Sequence, residues 1–584
     1  MLGFSGRGLR IDLNRQGTEV FIIDDSDLAR LGGKGLGTKL LAAETDPGVD
    51  PLGPDSAVIF ATGPLTGTPM MGVSRYGVYG KSPATGAYAE AYSGGSVAPA
   101  MKGTGFDAIV IKGQARSPVY LSVSPEGAEV RPAETLWGKD TYETEERILQ
   151  ACPQGAQAVV IGPAGENLVK FACLQNNRWR SAGRTGFGAV LGSKKVKGVA
   201  FWGDRRPPLA DSKGLESFTR ALVERGREDK GVQAYQRFGT PNLVSLLNTV
   251  GTFPTRYWRR GRLEGWESLS AQYMIEKFGA KPKACHRCFM ACGKMVTVPD
   301  GPHAGLSLEG PEYETIYAFG GLCEIRDLGE VVYLNDLCDR LGLDTITAGN
   351  VVAFAMEAGV VGAYPRATRI SYGDAAAAAR LIEDIAYRRG EGRLLAEGVR
   401  RLASEWGLED LAIHVKGLEP AGYDPRVLKG MGLAYATSPR GACHLRSTFY
   451  KAELSGQISP ETTEGKAELF VDYENRLALH DTLILCRFFR DLIGWQELVD
   501  LVNLSTGIGV DRESLESLAG RVVDQTRLYN YREGLTAADD RLPVRFLTES
   551  LPETDGRLTE DEFERMLREY YALRGWDSNG RPPA

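Results

Sequence analysis

"ACHRCFMACGKM", residues 284–295, places Cys285, Cys288 and Cys292 in the spacing C-x2-C-x3-C. Three thiols held this close point to a metal, and three readings compete. Zinc usually takes two CxxC pairs, or cysteines with histidines at fixed offsets. His286 stands inside the loop, but it would crowd the same ion as its neighbour Cys285. An iron–sulfur cubane takes four thiolates, commonly three from one tight loop and one from elsewhere in the fold. The third reading is three thiols with no metal at all. The short spacers favour the cubane, which then needs a distant fourth cysteine. Cys486 in "HDTLILCRFF" (480–489) is one candidate and Cys443 in "RGACHLR" (440–446) is the other. Spacing alone leaves both open.

Outward from that loop, the chain has 584 residues, 43% hydrophobic and 25% charged, which is ordinary globular composition. Such a length exceeds one core and suggests roughly three domains of about 150–200 residues. The formal charge of −6 is spread over intermixed signs, so the basic stripe of a nucleic-acid binder is missing. The first residues, "MLGFSGRGLRIDL", carry no apolar run after a basic start, so no secretory signal is expected. The most apolar stretch, residues 345–364, is interrupted by Asn350 and Glu357 and reads as a buried helix rather than a membrane span. Nine cysteines are too few for a disulfide scaffold and fit a reducing cytoplasm. Cys152, Cys173, Cys323 and Cys338 then read as small buried hydrophobes.

Up to residue 203 the chain is rich in glycine and β-branched residues. Strand-like runs at 57–63, 107–113, 119–123, 158–162 and 197–203 each end at turn residues. Two prolines and mixed charge at 203–214 suggest a boundary. Beyond it the apolar period becomes helical, as in residues 214–228, 331–344, 375–392 and 513–534. Thr559 and Glu562 have the spacing of a capping box that starts a last helix. The expected class is α+β: a β-rich part (1–208) followed by two mainly helical parts (209–415 and 416–584).

Two glycine-rich stretches, 74–113 and 176–198, are suited to close backbone approach to an anion. Arg75, Arg178, Arg180 and Arg184 lie among their glycines and can grip phosphate. "GGKGLG" (32–37) is only a weak dinucleotide fingerprint, since no clear strand precedes it. "CDRLGLDT" (338–345) carries D-x-x-G-L-D, and "DTLILC" (481–486) is a degenerate partner. Their carboxylates can accept ring N–H donors of a heterocycle, or Gly342 can simply end a helix.

Taken together, these motifs resemble the tungsten-containing aldehyde ferredoxin oxidoreductase family nearly end to end. The resemblance is carried by "ATGPLTGT" (61–68), "AGRTGFGAVLGSK" (182–194), "CHRCFMAC" (285–292), "EGPEYETIYAFG" (309–320), "DRLGLD" (339–344), "GMGLAYATSPRGACHLR" (430–446) and "DTLILC". It implies a tungsten or molybdenum ion held by two pyranopterins, whose phosphates share Mg2+, beside one [4Fe-4S] cluster buried where the domains meet. By matching motifs, Cys285, Cys288, Cys292 and Cys486 would ligate the cluster. Arg75, Gly94, Gly95, Arg180, Ser181, Gly183 and Arg184 would lie at the pterin phosphates. Asp339, Leu343, Asp344, Asp481 and Leu485 would contact the pterins, with Arg440 and Arg446 near them. Tyr92 stands where the family often has asparagine, which leaves a backbone contact to magnesium but removes a side-chain one. No histidine falls near residues 375–389, so the interface iron of some relatives is not expected. A homo- or hetero-oligomer both stand.

The implied reaction is oxidation of an aldehyde to a carboxylic acid, with single electrons leaving through the cluster to ferredoxin or an iron–sulfur subunit. It needs a base for water and an acid for the carbonyl. Glu312, Glu314 and His444 match those roles, and which glutamate faces inward depends on whether the segment is strand or helix. The alternatives are the catalytic subunit of an ATP-independent benzoyl-coenzyme A reductase and a non-catalytic iron–sulfur electron-transfer subunit.

Overall fold

In the computed structural model, which describes residues 1–363 and 370–583, two six-stranded sheets take up the chain as far as Phe201. The first sheet contains β1 (Arg7–Asp12), β2 (Gly17–Ile22), β3 (Val58–Ala61), β4 (Tyr76–Lys81), β5 (Tyr88–Ser93) and β6 (Ala108–Lys112), in the order β2-β1-β6-β3-β4-β5. The second contains β7 (Val119–Ser124), β8 (Gly127–Pro132), β9 (Gln157–Val160), β10 (Leu174–Asn176), β11 (Arg180–Ala182) and β12 (Val196–Phe201), in the order β11-β10-β9-β12-β7-β8. All five strand runs expected from the sequence are strands: β3, β6, β7, β9 and β12. Most of their residues are buried, as strands covered on both faces must be. Residues of both sheets share one core, in which the rings of Phe60 and Phe201 lie 5.8 Å apart.

From Ser212 onward the structure is helical, broken by one small sheet of β13 (Lys281–Lys283), β14 (Gly293–Thr297) and β15 (Ser307–Glu309). The expected helices appear at Ser212–Glu228, Leu328–Leu341, Ala375–Ala386 and Arg512–Arg532. The capping box forms too: Thr559 N donates to Glu562 at 2.9 Å, and Glu562 N donates to the Thr559 hydroxyl at 3.2 Å. The apolar run 345–364 forms the buried helix Thr345–Val360, with Tyr364 outside the described residues. Among the described residues no helix is long and apolar enough to cross a membrane. Cys173, Cys323 and Cys338 are buried as expected, but Cys152 is only partly so. One continuous apolar core runs from Ala164 to Trp576 and crosses residue 415 without a break.

This arrangement aims element ends at one place. β4 starts just after Arg75, β5 ends at Ser93 before the Gly94–Gly95 pair, and the β10–β11 turn presents Trp179 and Arg180. The helix Leu328–Leu341 stops at Gly342, whose φ of +76° is the left-handed conformation that a helix C-terminus favours in glycine. Asp344 then caps the helix Thr345–Val360 through the Ile346 amide.

Candidate functional site

These ends enclose a cavity of about 370 Å³. At one end it is lined by Cys285, Cys288, Cys292 and Cys486. The three-cysteine loop closes the β13–β14 hairpin, in which Lys281 pairs with Met295 and Lys283 with Gly293. Arg287 and Ala291 take left-handed conformations (φ 48° and 41°), which turns the short spacers back on themselves. Gly94 packs against the loop so tightly that a Cβ there would lie 2.9 Å from Cys285 Sγ, and His286 N donates to Gly95 O at 3.0 Å.

Cys486 reaches the same wall by a comparable device. Its N–H donates to Gly72 O at 2.8 Å, just after Ile484 takes a φ of 58°. Gly33 and Gly63 sit against the carbonyls of Asp481, Thr482 and Leu483, at 2.3–2.5 Å from where their Cβ atoms would be. "GGKGLG" therefore serves close packing against "DTLILC", not phosphate binding.

The rival Cys443 is not part of the cavity wall. It is fully buried and accepts from Arg440 Nη2 at 2.9 Å and Leu445 N at 3.3 Å. Burial pushes its thiol up, but Arg440 and Arg446 outweigh that and bring it to about 7. Cys288 and Cys292 behave in the opposite way. Burial, then Cys486 and Cys285, push Cys288 up to about 12, and burial with Glu312 and Cys486 raises Cys292 as well. Each of these thiols resists ionisation partly because of the others. Among the described residues no three His, Cys, Asp or Glu converge as ligands of a single metal ion.

The middle of the cavity is cationic. Arg75, Arg180, Arg184, Arg440, Arg446 and Arg487 all line it. Arg75 lies 3.9 Å from Cys486 Sγ and donates to Tyr92 O at 3.3 Å. Arg446 bridges Glu90 and Asp481, both at 2.6 Å, and Arg487 also binds Asp481. Burial pushes the Glu90 carboxyl up, but Arg446, Lys34 and Arg440 together hold it below the usual range. Even so, Nε of Arg75, Arg440, Arg446 and Arg487, with Trp179 Nε1, is buried without a partner. A buried unpaired donor costs about 1–3 kcal/mol, so several around one cavity mark a place for an anionic ligand.

The other expected residues divide. Tyr92, Gly94, Ser181, Gly183, Asp339, Leu343 and Asp344 line the cavity. Asp339 accepts from Gln175 at 3.1 Å and Asn335 at 2.7 Å, and burial followed by Asp336 raises its carboxyl well above normal. Arg184 is spent on Asp344 (3.0 Å) and on the carbonyls of Glu419 and Ala442. It braces the wall. Arg178 is exposed and lies near Glu146, 3.8 Å away. Gly95, Asp481 and Leu485 stand behind the wall, Leu485 in an apolar core.

At the far end the two glutamates part. Glu312 is the extended residue before the helical turn Tyr313–Thr315, whereas Glu314 lies inside that turn. Glu312 accepts from the Thr240 hydroxyl and is close to Cys292 and Arg180. Glu314 accepts from Gly422 N at 3.1 Å, and its Oε1 lies 3.4 Å from His444 Nε2 without the alignment of a hydrogen bond. Burial lifts Glu314 to about 8, against the opposing Gly422 N–H and Arg184. Burial, then Arg184, Arg440 and Arg446, push His444 well below its usual value. At neutral pH the pair is not an ion pair: Glu314 is protonated and His444 is neutral. Tyr423 lies beside them, its ring 5.5 Å from that of His444 and 4.0 Å from that of Tyr450.

Sequence reasoning missed Glu309, which holds Arg180, and the residues Thr240, Tyr423 and Tyr450. Glu309 stands in the quoted "EGPEYET" stretch, and its burial lifts it to about 6 despite Arg180. The two tyrosines carry no local pattern.

Residues 8–203 match the family model of the aldehyde ferredoxin oxidoreductase N-terminal domain, and residues 217–584 match that of domains 2 and 3. The chain belongs to the aldehyde ferredoxin oxidoreductase family. It is 37% identical to the tungsten-containing aldehyde ferredoxin oxidoreductase of Pyrococcus furiosus, over 100% of this chain and 98% of that relative. The enzyme of the same name from Thermococcus kodakarensis is also 37% identical, over the same shares. Among solved structures, the active-site complex BamBC of benzoyl coenzyme A reductase has the same fold, with a TM-score of 0.86 at 24% identity over 100% of this chain and 96% of that one. Membership of the aldehyde ferredoxin oxidoreductase family makes this chain an oxidoreductase of that type.

Proposed function

We propose that the chain oxidises a small aldehyde to a carboxylic acid and passes the electrons through a [4Fe-4S] cluster to a ferredoxin-type acceptor in a reducing cytoplasm. One observation carries this reading: a single cavity is lined by four thiols, by arginines with unpaired donors, and by a carboxyl–imidazole pair that favours its neutral form. The donor set fits the implied groups. Four cysteines suit a cubane. The unpaired Nε atoms of Arg75, Arg440, Arg446 and Arg487 would meet the anionic pterin cofactor, with Asp339 and Asp344 toward its heterocycles. Tyr92 O, which accepts from Arg75 Nη2 at 3.3 Å, would be the backbone carbonyl left to approach Mg2+. When bound, a tungsten or molybdenum bis-pyranopterin supplies the two-electron acceptor. In this reading the cavity lies where the β-rich part (1–208) meets the helical parts (209–415 and 416–584).

The chain's own residues handle the protons. Glu314, still protonated at neutral pH, donates to the carbonyl oxygen, and neutral His444 accepts from the attacking water. Both side chains are largely covered, at 18% and 9% exposure, and line the cavity in which the aldehyde and the attacking water would meet. Glu312 is held by Thr240 at the thiol end, so the acid role goes to Glu314. The test is turnover of short aldehydes by anaerobically purified protein with an artificial dye acceptor.

A second reading rests on the BamBC likeness: reduction of an aryl coenzyme A thioester within a larger complex. Reactivity with an aryl thioester and none with aldehydes would select it.

A further inference from the structure

The way out for electrons is marked by charge. Between residues 279 and 299 there are four basic residues, Lys281, Lys283, Arg287 and Lys294, and no acidic one, in a chain whose formal charge is −6. Lys294 is buried and donates to four carbonyls, including Cys292 O at 3.0 Å. The other three are exposed, as is His286 between them. The helix Lys230–Phe238, which packs against β13, adds exposed Arg237. Cys285 and Cys288, which share the hairpin with this rim, are partly exposed.

We propose that this rim, Lys281, Lys283, Arg287 and Arg237, is the docking surface for an acidic one-electron carrier protein. It rests on the reading that electrons leave through the cysteine-bound cluster. Complementary charge speeds encounter and fixes orientation, and salt screens it. A carrier seated here faces the cysteine loop, because Lys281, Lys283 and Arg287 belong to the hairpin that carries it.

The test uses the anaerobically purified holoenzyme, Lys281→Glu/Lys283→Glu, and a charge-matched control, Arg512→Glu/Arg568→Glu, on the C-terminal helices. The probe is a small acidic ferredoxin, with binding measured calorimetrically at low and high salt and turnover measured with an uncharged dye. The expected result is a Kd weakened about tenfold at low salt in the first variant only, a flatter salt dependence, and dye turnover within about twofold of the parent. Equal Kd and equal salt dependence in all three proteins would overturn the docking surface. Binding that behaves as expected in a protein that oxidises no aldehyde would overturn the proposed function and leave the surface standing.

Discussion

The two ends of the cavity are built on opposite terms. At the thiol end, four partly exposed cysteines sit beneath an exposed cationic rim, on loops turned by left-handed residues and pinned by glycines. At the other end, the side chains of Glu314 and His444 are 18% and 9% exposed, and their partial burial is the main cause that raises the Glu314 carboxyl and lowers the His444 imidazole. In the proposed function the first end lets electrons out and the second handles the protons. On that proposal one cavity separates the two products of an oxidation: electrons would cross protein to a surface, while a largely covered acid–imidazole pair would handle the protons.

The largest expected effect breaks the thiol end. Cys486→Ser should lose the iron–sulfur absorbance and all turnover, whereas Cys443→Ser, behind the wall, should keep the absorbance. The reverse pattern would make Cys443 the fourth ligand.

Breaking the proton end should leave the metals in place. His444→Ala and Glu314→Gln are each expected to slow turnover by about 10²–10⁴-fold with unchanged metal content. Activity unchanged in either variant would remove that residue from the chemistry.

The pH profile sharpens the same point. Because Glu314 acts protonated and is lifted to about 8, turnover should fall as pH rises through about 8. The stability sign follows from the raised value. Folded protein holds this proton and unfolded chain does not between about 4.5 and 8, so stability falls as pH rises through that window. Glu314→Gln cannot ionise and should be the more stable form above pH 8 by up to a few kcal/mol, which denaturant titration at pH 6 and 9 would measure. A parallel pH dependence in both proteins would contradict a buried neutral Glu314.

The smallest effect is expected at Glu312. Its Thr240 hydrogen bond is worth about 1 kcal/mol, so Glu312→Gln should slow turnover less than about tenfold. A loss as deep as that of Glu314→Gln would move the acid role to Glu312.

Much of this was legible in the sequence, unevenly and for physical reasons. β3, β6, β7, β9 and β12 announce themselves as apolar runs between turn residues. β4 and β5 do not, because "YGVYGK" and "YAEAYS" bury tyrosines, glycines and Glu90 on both faces and show no alternation. The cysteine loop and "DTLILC" pointed to one another only through family resemblance, since the hydrogen bond of Cys486 N to Gly72 O joins residues far apart in sequence. Whether Glu312 or Glu314 faced the histidine turned on a change from extended chain to helix at a single residue. Arg184 read as a phosphate grip because sequence shows a cation but not the Asp344 that engages it.

The most direct measurement is elemental analysis of anaerobically purified protein. The expected result is roughly four irons and about one tungsten or molybdenum per chain, without stoichiometric zinc. Zinc in place of iron, or iron with neither heavy metal, would contradict it.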